Sequence, residues 1–368
     1  MATAKELMDD FARRTGLTGD GPVTRYLWTD AFAVCNFVGL TEQTGDAEYM
    51  QLAERLVEQV HETLGRHRDG DPRDGWISGL DEDEGREHPT AGGLRIGKPL
   101  PERPPAQQPD PRGEWDRDGQ YFHYLTKWMH ALQVMAEATG ERRFGRWALE
   151  LSVAAHRGFI RKQPDGSVGM VWKMSIDLSR PLVASMGHHD PLEGLVTTLE
   201  CLSDAPDESC AEATPAVRDF ERMCTGRRWA TTDALGIGGL LDAAGRLAIL
   251  NRRETLEYGH LLDQLLADAA VSLGAFADTF TPDAPAGRRL AFRELGLAIG
   301  LDAAEQLSSV DVQTPELSQI LRYRPIAEAI CEFWNDPQHR TVASWVDHED
   351  INAVMLATAL EPSAYLRV

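Results

Sequence analysis

The chain has few cysteines, and their spacing does not suit zinc or redox chemistry. The five are odd in number and widely separated, with no C-x-x-C pair: Cys35, Cys201, Cys210, Cys224 and Cys331. Zinc sites and disulfide-stabilised secreted domains both need closely paired or regularly spaced cysteines. The pattern therefore predicts reduced, mostly buried thiols.

Long apolar runs are also missing. No stretch approaches the ~18 consecutive apolar residues of a membrane span. The N-terminal residues MATAKELMDDFARR contain no apolar signal core. We therefore expect a cytoplasmic protein that does not contact a membrane.

Basic residues are in the minority. The chain has 37 Lys and Arg against 58 Asp and Glu, which gives a formal net charge of −21. This balance would repel nucleic acid and anionic lipid, so neither is an expected partner. A small neutral or cationic ligand fits better, although the charge could serve solubility alone.

Signatures of common cofactors, metals and nucleophiles are absent too. There is no G-x-S-x-G motif, and the cysteines lack a supporting signature. The glycines between Gly236 and Gly239 resemble a phosphate loop but fall inside a predicted helix. His188-His189-Asp190 and His348-Glu349-Asp350 supply ligand types without a known metal spacing. We predict no cofactor and no metal.

A helical hairpin recurs at an offset of 95 residues. Tyr26 corresponds to Tyr121, Thr44-Gly45 to Thr139-Gly140, and likewise Ala53 to Ala148 and His61 to His156. An offset that holds without a gap is typical of a repeated structural unit.

Capping residues and apolar spacing predict the remaining helices. Asp190-Pro191-Leu192-Glu193 reads as a capped helix start, and Thr214-Pro215, Thr232-Asp233 and Thr314-Pro315 read as others. Outside the repeated hairpins, the expected helices are Lys5 to Arg14, Asp190 to Leu202, one from Thr214, Thr232 to Leu250, Thr255 to Leu273, Arg288 to Leu307, Thr314 to Trp334 with a break near Pro325, and Asp347 to Leu360. Twelve helices in six pairs, with the N-terminal helix as partner of the last one, predict an all-α (α/α)6 toroid. The apolar, glycine-bearing first helices of each pair are expected to line its inside.

Two inserts interrupt the helices of this single predicted domain, which spans residues 1–368. The first, Arg68 to Arg117, is rich in proline and is expected to be a lid that buries Trp76, Leu94 and Ile96. The second, Gln163 to His189, alternates apolar residues from Val168 to Ile176, as a strand does. We expect all strands to lie in these inserts, which would pair as a small sheet over one mouth of the ring. Deleting Asp71 to Pro111 is expected to abolish ligand binding and leave the ring folded.

If the first helices of the pairs all start at one rim, that rim is rich in acids and aromatics. Each start contributes an acid, but an Asp there is also favoured as a helix cap, and Asp190 and Asp347 match the cap pattern best. The residues brought together would be Arg25, Tyr26, Trp28 and Asp30; Trp115, Asp116, Asp118, Tyr121 and His123; His188, His189, Asp190 and Glu193; Trp229 and Asp233; Arg289, Arg293 and Glu294; and Trp345, Asp347, His348 and Asp350.

Six of the nine tryptophans fall in loops or at helix starts: Trp28, Trp76, Trp115, Trp172, Trp229 and Trp345. Flat aromatic faces beside carboxylates suit sugar rings, which stack through their C–H face and bond through their hydroxyls. The alternative interpretation is that these side chains plug the rim.

The ring of hairpins, the recurrent Thr-Gly-Asp/Glu turn and the acid-rich helix starts together resemble the six-hairpin glycosidase superfamily, which includes unsaturated glucuronyl hydrolases, and the related N-acylglucosamine 2-epimerase fold. The resemblance implies a carbohydrate cavity, with an Asp as general acid or base in the hydrolases and paired His in the epimerases. On this chain it suggests Asp118 or Asp116 for the first role. For the second it suggests His123, His188, His189 or His348.

The leading hypothesis is a glycoside hydrolase that acts on a small saccharide through two rim carboxylates. Asp118 is expected to be the acid and Asp30 or Asp190 its partner, with Asp116 and His189 as further catalytic candidates. Substrate contacts are expected from Tyr26, Trp28, Trp76, Trp115, Tyr121, His123, His188, Trp172, Trp229, Arg293, Glu294, Trp345 and His348. The alternatives are a sugar epimerase or isomerase that uses histidine and a non-catalytic toroid that binds a ligand or a partner protein.

Overall fold

The computed structural model describes residues 1–108, 110, 113–162, 164–203, 205, 207–254, 256–310 and 312–367, and the backbone alone for 207–210. The α-helices are α1 (Ala4–Arg14), α2 (Leu27–Thr44), α3 (Ala47–Leu64), α4 (Glu82–Glu87), α5 (Phe122–Thr139), α6 (Arg142–Phe159), α7 (Asp190–Ser203), α8 (Asp207–Cys224), α9 (Ala234–Glu254), α10 (Gly259–Ala277), α11 (Ala291–Ser309), α12 (Pro315–Leu321), α13 (Arg324–Asn335), α14 (Ala343–Val346) and α15 (Glu349–Leu360). The strands are β1 (Gln120–Tyr121), β2 (Ile160–Lys162), β3 (Val168–Met170), β4 (Lys173–Met174) and β5 (Pro181–Val183).

The chain divides into two compact units. Unit 1 holds Met1–Gly21, Cys35–Tyr49 and Arg228–Val368, and unit 2 holds Pro22–Val34 and Met50–Arg227. Residues 27–34 of α2 therefore belong to unit 2, and its later residues belong to unit 1. The single domain expected from the sequence stays a prediction.

The repeated hairpin is confirmed residue by residue. Helices α2, α3, α5 and α6 each have 18 residues. The first and last residues of α5 are 95 positions after those of α2, and the same offset separates α6 from α3, as predicted. In both turns the Thr hydroxyl (Thr44 or Thr139) donates to the carbonyl four residues earlier. The following Gly45 and Gly140 both have φ of 71°, a left-handed conformation that favours glycine.

The twelve predicted helices are all present, and several bounds differ from expectation. The predicted break near Pro325 is confirmed, because this proline opens α13 and separates it from α12. Helices α4 and α14 are short additions. Helix α8 begins at Asp207 and takes Pro215 into its interior, so the expected start at Thr214 is wrong. Thr255, the expected start of another helix, lies outside the described residues, and α10 begins at Gly259.

Unit 1 is built around the parallel helices α9 and α11. Gly238 lies so close to α11 that a Cβ on it would come within 2.0 Å of the carbonyl oxygen of Gly296, and Gly245 faces Ala303 further along both helices. Small residues therefore let the backbones of the two helices come into contact. Helix α9 is the one helix of the described residues that by length and composition could span a membrane, but 72% of that window is buried inside the fold.

Helix α1 packs on α15 in the same unit. Arg14 Nη2 donates to Asp350 Oδ1 at 2.8 Å, which confirms the predicted pairing of the first helix with the last one. Asp347 was expected to open α15. It instead follows α14 directly, and His348 occupies the N-cap position of α15.

The first insert contributes to the core of unit 2. Trp76 is 3% exposed and Leu94 and Ile96 are fully buried, so their predicted burial is confirmed. The acidic stretch from Asp81 to Glu84 forms the start of α4, where Asp81 caps the helix. Excising the insert would remove these core side chains, so it is expected to destabilise the unit, contrary to the sequence-based expectation. Its role as a lid stays a prediction, and Pro111, the end of the proposed deletion, lies outside the described residues.

The strands form two small antiparallel sheets in unit 2, in the order β1-β4-β5 and β2-β3. They hold well under a tenth of the described residues, as predicted. Three expectations are wrong. Strands β1 and β2 lie just outside the inserts, and the described residues of the first insert contribute no strand to either sheet, so the two inserts do not pair as one sheet. The strand predicted from Val168 to Ile176 is broken at Val171 and Trp172. The break arises because β3 pairs with β2 whereas β4 pairs with β1, so the alternating pattern passes from one sheet to the other.

The described cysteines are free thiols. Cys35, Cys201 and Cys224 are buried and Cys331 is half-buried, while the side chain of Cys210 lies outside the described residues. Burial raises the pKa of the Cys224 thiol to about 12. The thiol therefore stays protonated, as expected for a structural cysteine.

Candidate functional site

The starts of helices α2, α5 and α7 lie close together in unit 2, and α5 and α7 are parallel. Lys127 Nζ of α5 lies 3.3 Å from Glu193 Oε2 of α7, and further along both helices His130 Nδ1 lies 2.6 Å from Glu200 Oε1. Later residues of α5 contact later residues of α7, so the two helices run in the same direction. Their first turns, with His123 and Asp190, therefore lie side by side.

A continuous group of rings, here called the aromatic cluster, lies at these helix starts: Tyr26, Trp28, Tyr121, His123, Tyr124 and Trp172. The hydroxyls of Tyr26 and Tyr124 lie 2.6 Å apart and join the start of α2 to that of α5. Tyr121 is stacked between Trp172, with ring centroids 4.9 Å apart, and His123, at 5.5 Å. The predicted gathering of aromatics is therefore present in unit 2.

The Tyr121 hydroxyl is buried, and it has no hydrogen-bond partner among the described residues. Burial raises the pKa of this phenol well above its usual value, so it stays a neutral donor. A buried donor is costly unless something accepts its hydrogen bond. The hydroxyl is therefore available to a bound ligand or water.

His123 is neutral at physiological pH. Burial lowers the pKa of its imidazole to about 4, and the positive charge of Lys127, one turn along α5, adds to the effect. Its ring lies 6.0 Å from that of Trp28. A neutral imidazole can accept a proton, so His123 can act as a base in the cluster.

Asp190 is the acid best suited to hold a proton. It is 5% exposed, and the backbone N–H of Gly187 donates to its Oδ2 at 3.0 Å. Burial raises the pKa of the carboxyl to about 7, and the negative charge of Glu193 acts in the same direction. The sequence favoured a cap role for Asp190, but its carboxylate accepts from the preceding loop. A buried carboxyl with a strongly shifted pKa is typical of functional sites.

Asp118 and Asp30 are held in ion pairs instead. Asp118 is fully buried, and its Oδ2 accepts from Arg68 at 3.0 Å and Arg95 at 2.9 Å. Asp30 accepts from Arg25 at 3.1 Å and from the backbone N–H of Tyr26 at 2.9 Å. These contacts favour structural roles, and the catalytic roles expected for both residues stay predictions.

Asp116 is exposed and has no ion-pair partner among the described residues. It contributes to the raised pKa of Tyr121, so its charge acts on the aromatic cluster. Trp115 precedes it and is 57% exposed, with its ring centroid 5.0 Å from that of Trp172. These two residues therefore extend the cluster to the surface of unit 2.

Other candidates of unit 2 lie outside the cluster. Trp76 is buried beneath the Arg66 guanidinium, 4.1 Å from its ring, and serves the core. His188 and His189, just before Asp190, have ring centroids 4.7 Å apart; the first is exposed and the second half-buried.

Four candidates of unit 1 form ion pairs and are here called the ion-paired cluster: Asp233, Arg289, Arg293 and Glu294. Arg293 pairs with Asp233, and Arg289 Nη2 lies 2.7 Å from Glu294 Oε2. Trp334 also donates to Glu294, at 2.7 Å. Trp229 and Trp345 are buried, and His348 is exposed with its ring 6.0 Å from that of Phe292.

Sequence reasoning missed Tyr124, Lys127 and Lys173. A helical spacing of four residues from His123 was a signal for Lys127, since such residues share a face. No sequence pattern indicated a role for Lys173. Its side chain is fully buried, and its Nζ donates a hydrogen bond to the backbone carbonyl of Arg117 at 2.9 Å.

A cavity of unit 2 lies away from the aromatic cluster. It measures about 1500 Å³ and follows α6, where it is lined by charged side chains that include Arg146, Glu150 and Arg157. His88 Nδ1 lies 2.7 Å from Glu150 Oε1 in this groove. We assign the candidate site to the aromatic cluster because the neutral His123 and the unpartnered Tyr121 hydroxyl belong to it, and because the start of α7, with Asp190, lies beside the start of α5. No group of three or more metal-ligating side chains occurs among the described residues.

Comparison with known proteins shows the fold. No family model and no curated protein matches the chain. Solved structures match along nearly its whole length. They include the GH76A alpha-1,6-mannanase from Salegentibacter sp. HEL1_6, with 13% identity, a TM-score of 0.57 and coverage of 99% of this chain and 98% of that one. A sugar epimerase from a ruminal bacterium shows 11% identity and a TM-score of 0.55, with 97% of each chain covered.

Cellobiose 2-epimerase from Spirochaeta thermophila DSM 6192 shows 12% identity and a TM-score of 0.52, with 98% of each chain covered. These neighbours are glycoside hydrolases and sugar epimerases. The chain therefore has the (α/α)6 toroid fold with a small β insertion, and its resemblance to the six-hairpin glycosidase superfamily is confirmed at the level of the fold.

Proposed function

We propose that the protein is a carbohydrate-active enzyme, a glycoside hydrolase that acts on a small saccharide at the aromatic cluster. The observation that carries the proposal is Asp190, a buried carboxyl with a pKa of about 7 at the start of α7, the helix that runs parallel to α5. Hydrolysis of a glycosidic bond needs an acid that still holds its proton near neutral pH. The flat faces and hydroxyls of the cluster suit a sugar ring.

The fold neighbours support a saccharide ligand. One of them is an inactive variant of the alpha-1,6-mannanase, with two aspartates replaced, in complex with alpha-1,6-mannotetrose. We propose no nucleic acid, membrane or cofactor for this chain, in keeping with its charge and motifs. Its cytoplasmic location stays a prediction.

In the proposed reaction Asp190 donates its proton to the glycosidic oxygen as the bond from that oxygen to the anomeric carbon breaks. Asp116 is the proposed second carboxylate, because it is an exposed acid near the cluster without an ion-pair partner among the described residues. Asp116 takes one proton from a water molecule as the water oxygen bonds to the anomeric carbon. Proton exchange with solvent then returns Asp116 to its carboxylate and Asp190 to its acid form. Asp118 and Asp30 hold the surrounding backbone.

The test is a turnover screen with alpha-1,6-mannotriose, alpha-1,6-mannotetrose, cellobiose and an unsaturated uronyl disaccharide. A hydrolase releases shorter sugars that together contain one added water, which mass spectrometry detects. Asp190→Asn, which cannot donate a carboxylic proton, is expected to slow this release by about 10²- to 10⁴-fold. The matched control is Asp347→Asn, an exposed aspartate near a helix start of unit 1. No turnover of any sugar by the wild type would reject the proposal and favour the non-catalytic alternative.

A second candidate, sugar epimerisation, is favoured by the neutral His123. An imidazole with a pKa of about 4 can remove a carbon-bound proton without first losing one of its own. Epimerisation gives a product of unchanged mass and, in D2O, incorporates deuterium at the inverted carbon. Deuterium incorporation that is lost in His123→Gln would establish this alternative in place of hydrolysis.

A further inference from the structure

Trp115 is unusual among the large apolar side chains of the described residues. It is 57% exposed, and it is the one aromatic among those that are strongly exposed. One side of the indole lies against Trp172, whose ring centroid is 5.0 Å away with the planes tilted by 46°. The rest of the indole faces solvent, which leaves a flat apolar surface open to a ligand.

The backbone beneath Trp115 is held by buried charges. The neighbouring Glu114 is 3% exposed and pairs with Arg103, which is 6% exposed, and with Lys173, which is fully buried. Lys173 also donates to the main-chain carbonyls of Glu114 and Arg117 on either side of Trp115. Buried ion pairs are costly to form and add little net stability, so their effect here is to fix the position of this short segment.

A fixed, exposed indole is a preorganised binding surface. A ligand that stacks on it loses little free energy to ordering the protein, because the indole and its support are already in place. The stack then continues inward from Trp172 to Tyr121, 4.9 Å away, and from Tyr121 to His123. The open face of Trp115 therefore lies at the outer end of this row, and His123 lies at its inner end. A saccharide that reaches both must be longer than one sugar unit.

We propose that Trp115, backed by Trp172, is an outer sugar-binding platform, and that the saccharide bound at the aromatic cluster is an oligosaccharide rather than a free monosaccharide. This inference rests on the proposed function. The inner unit of the chain lies at the helix starts near His123 and Asp190, and a later unit stacks on the indole of Trp115.

The test compares binding by chain length. Dissociation constants are measured by fluorescence titration for mannose, alpha-1,6-mannotriose and alpha-1,6-mannotetrose, and in parallel for glucose, cellobiose and cellotetraose. The wild type is expected to bind the longer members of one series more tightly. Trp115→Ala is expected to raise the dissociation constant of the longer sugars by about three- to tenfold, which is the effect of losing one aromatic stacking contact. Its affinity for the monosaccharide is expected to stay unchanged. Trp115→Phe is expected to recover most of the loss.

The control is Val271→Ala, which removes an exposed apolar side chain from unit 1 and should change no constant. Circular dichroism checks that Trp115→Ala is folded. If the wild type binds the longer sugars and Trp115→Ala binds them equally well, the platform is rejected while the proposed function stands. If neither series binds to the wild type, both are rejected.

Discussion

The two units gather parallel helix starts, but they treat the acids there differently. In the ion-paired cluster of unit 1, Asp233 pairs with Arg293, and Glu294 pairs with Arg289. In unit 2, Asp30 is likewise paired with Arg25, but Asp190 is buried beside a backbone N–H, and burial raises its pKa to about 7. An arginine beside a carboxylate favours the charged form, whereas burial favours the protonated one. Helix starts of the same kind therefore hold ion-paired acids in both units. In unit 2, one acid also keeps its proton near neutral pH, which is the property that the proposed function needs.

The largest expected effect is on kcat/KM, and it distinguishes the buried Asp190 from the ion-paired Asp233. Asp190→Asn should lower kcat/KM for the hydrolysed saccharide by about 10²- to 10⁴-fold, because the amide cannot donate a carboxylic proton. Asp233→Asn, its counterpart in unit 1, should change kcat/KM by less than about threefold. Steady-state kinetics on both purified variants provide the measurement. Equal losses in the two would mean that the contrast between the units has no bearing on catalysis.

A comparison within unit 2 concerns stability. Asp118→Ala leaves Arg68 and Arg95 without their buried carboxylate, so the free energy of unfolding should fall by about 3–5 kcal/mol. The matched control is Asp116→Ala, two residues away and exposed, which should change it by less than about 0.5 kcal/mol. Urea denaturation followed by circular dichroism measures both. A loss below about 1 kcal/mol in Asp118→Ala would show that this carboxylate does not hold the fold and would reopen its catalytic candidacy.

The third prediction tests the close approach of helices in unit 1. Gly238→Ala should destabilise the protein by about 1–3 kcal/mol, because the added methyl would collide with the backbone of Gly296. Gly274→Ala in α10 has open space, with the Tyr323 hydroxyl 3.7 Å away as its nearest neighbour. It should instead stabilise by about 0.5–1 kcal/mol, as alanine does in a helix. The midpoints of thermal unfolding should therefore move in opposite directions, and a shared direction would contradict the packing described here.

The sequence predicted the hairpins because their information is local. An aromatic start, a Thr-Gly turn and the apolar spacing between them lie within 40 residues, and the offset of 95 repeats them at Tyr26 and Tyr121. The start predicted at Thr214 is wrong because proline is common in the first turn of a helix, whereas Pro215 lies in the interior of α8. The strand expected from Val168 to Ile176 was broken by pairing with two different partners, which periodicity cannot reveal.

The candidate site was predicted as a set of residue types, but the role of each acid was not. Asp30, Asp118 and Asp190 all read as aspartates near helix starts. Their difference depends on neighbours far along the chain, such as Arg68 and Arg95 beside Asp118. Lys173 is likewise fixed by tertiary contacts to Glu114. Sequence spacing carries no information on these long-range ion pairs, so it could not separate a proton donor from a structural acid.

The pKa of Asp190 tests the central claim most directly. The carboxyl carbon resonance of this residue, assigned by its absence in Asp190→Asn, can be followed by NMR as the pH is varied. The expected midpoint is about 7, against an ordinary value of 3.8. Because the folded-state pKa is raised, the protonated carboxyl's contribution to stability should be complete below pH 3.8 and be lost as the pH rises through about 7. A midpoint near 3.8 would mean that Asp190 is ionised at neutral pH and would contradict its role as the proton donor.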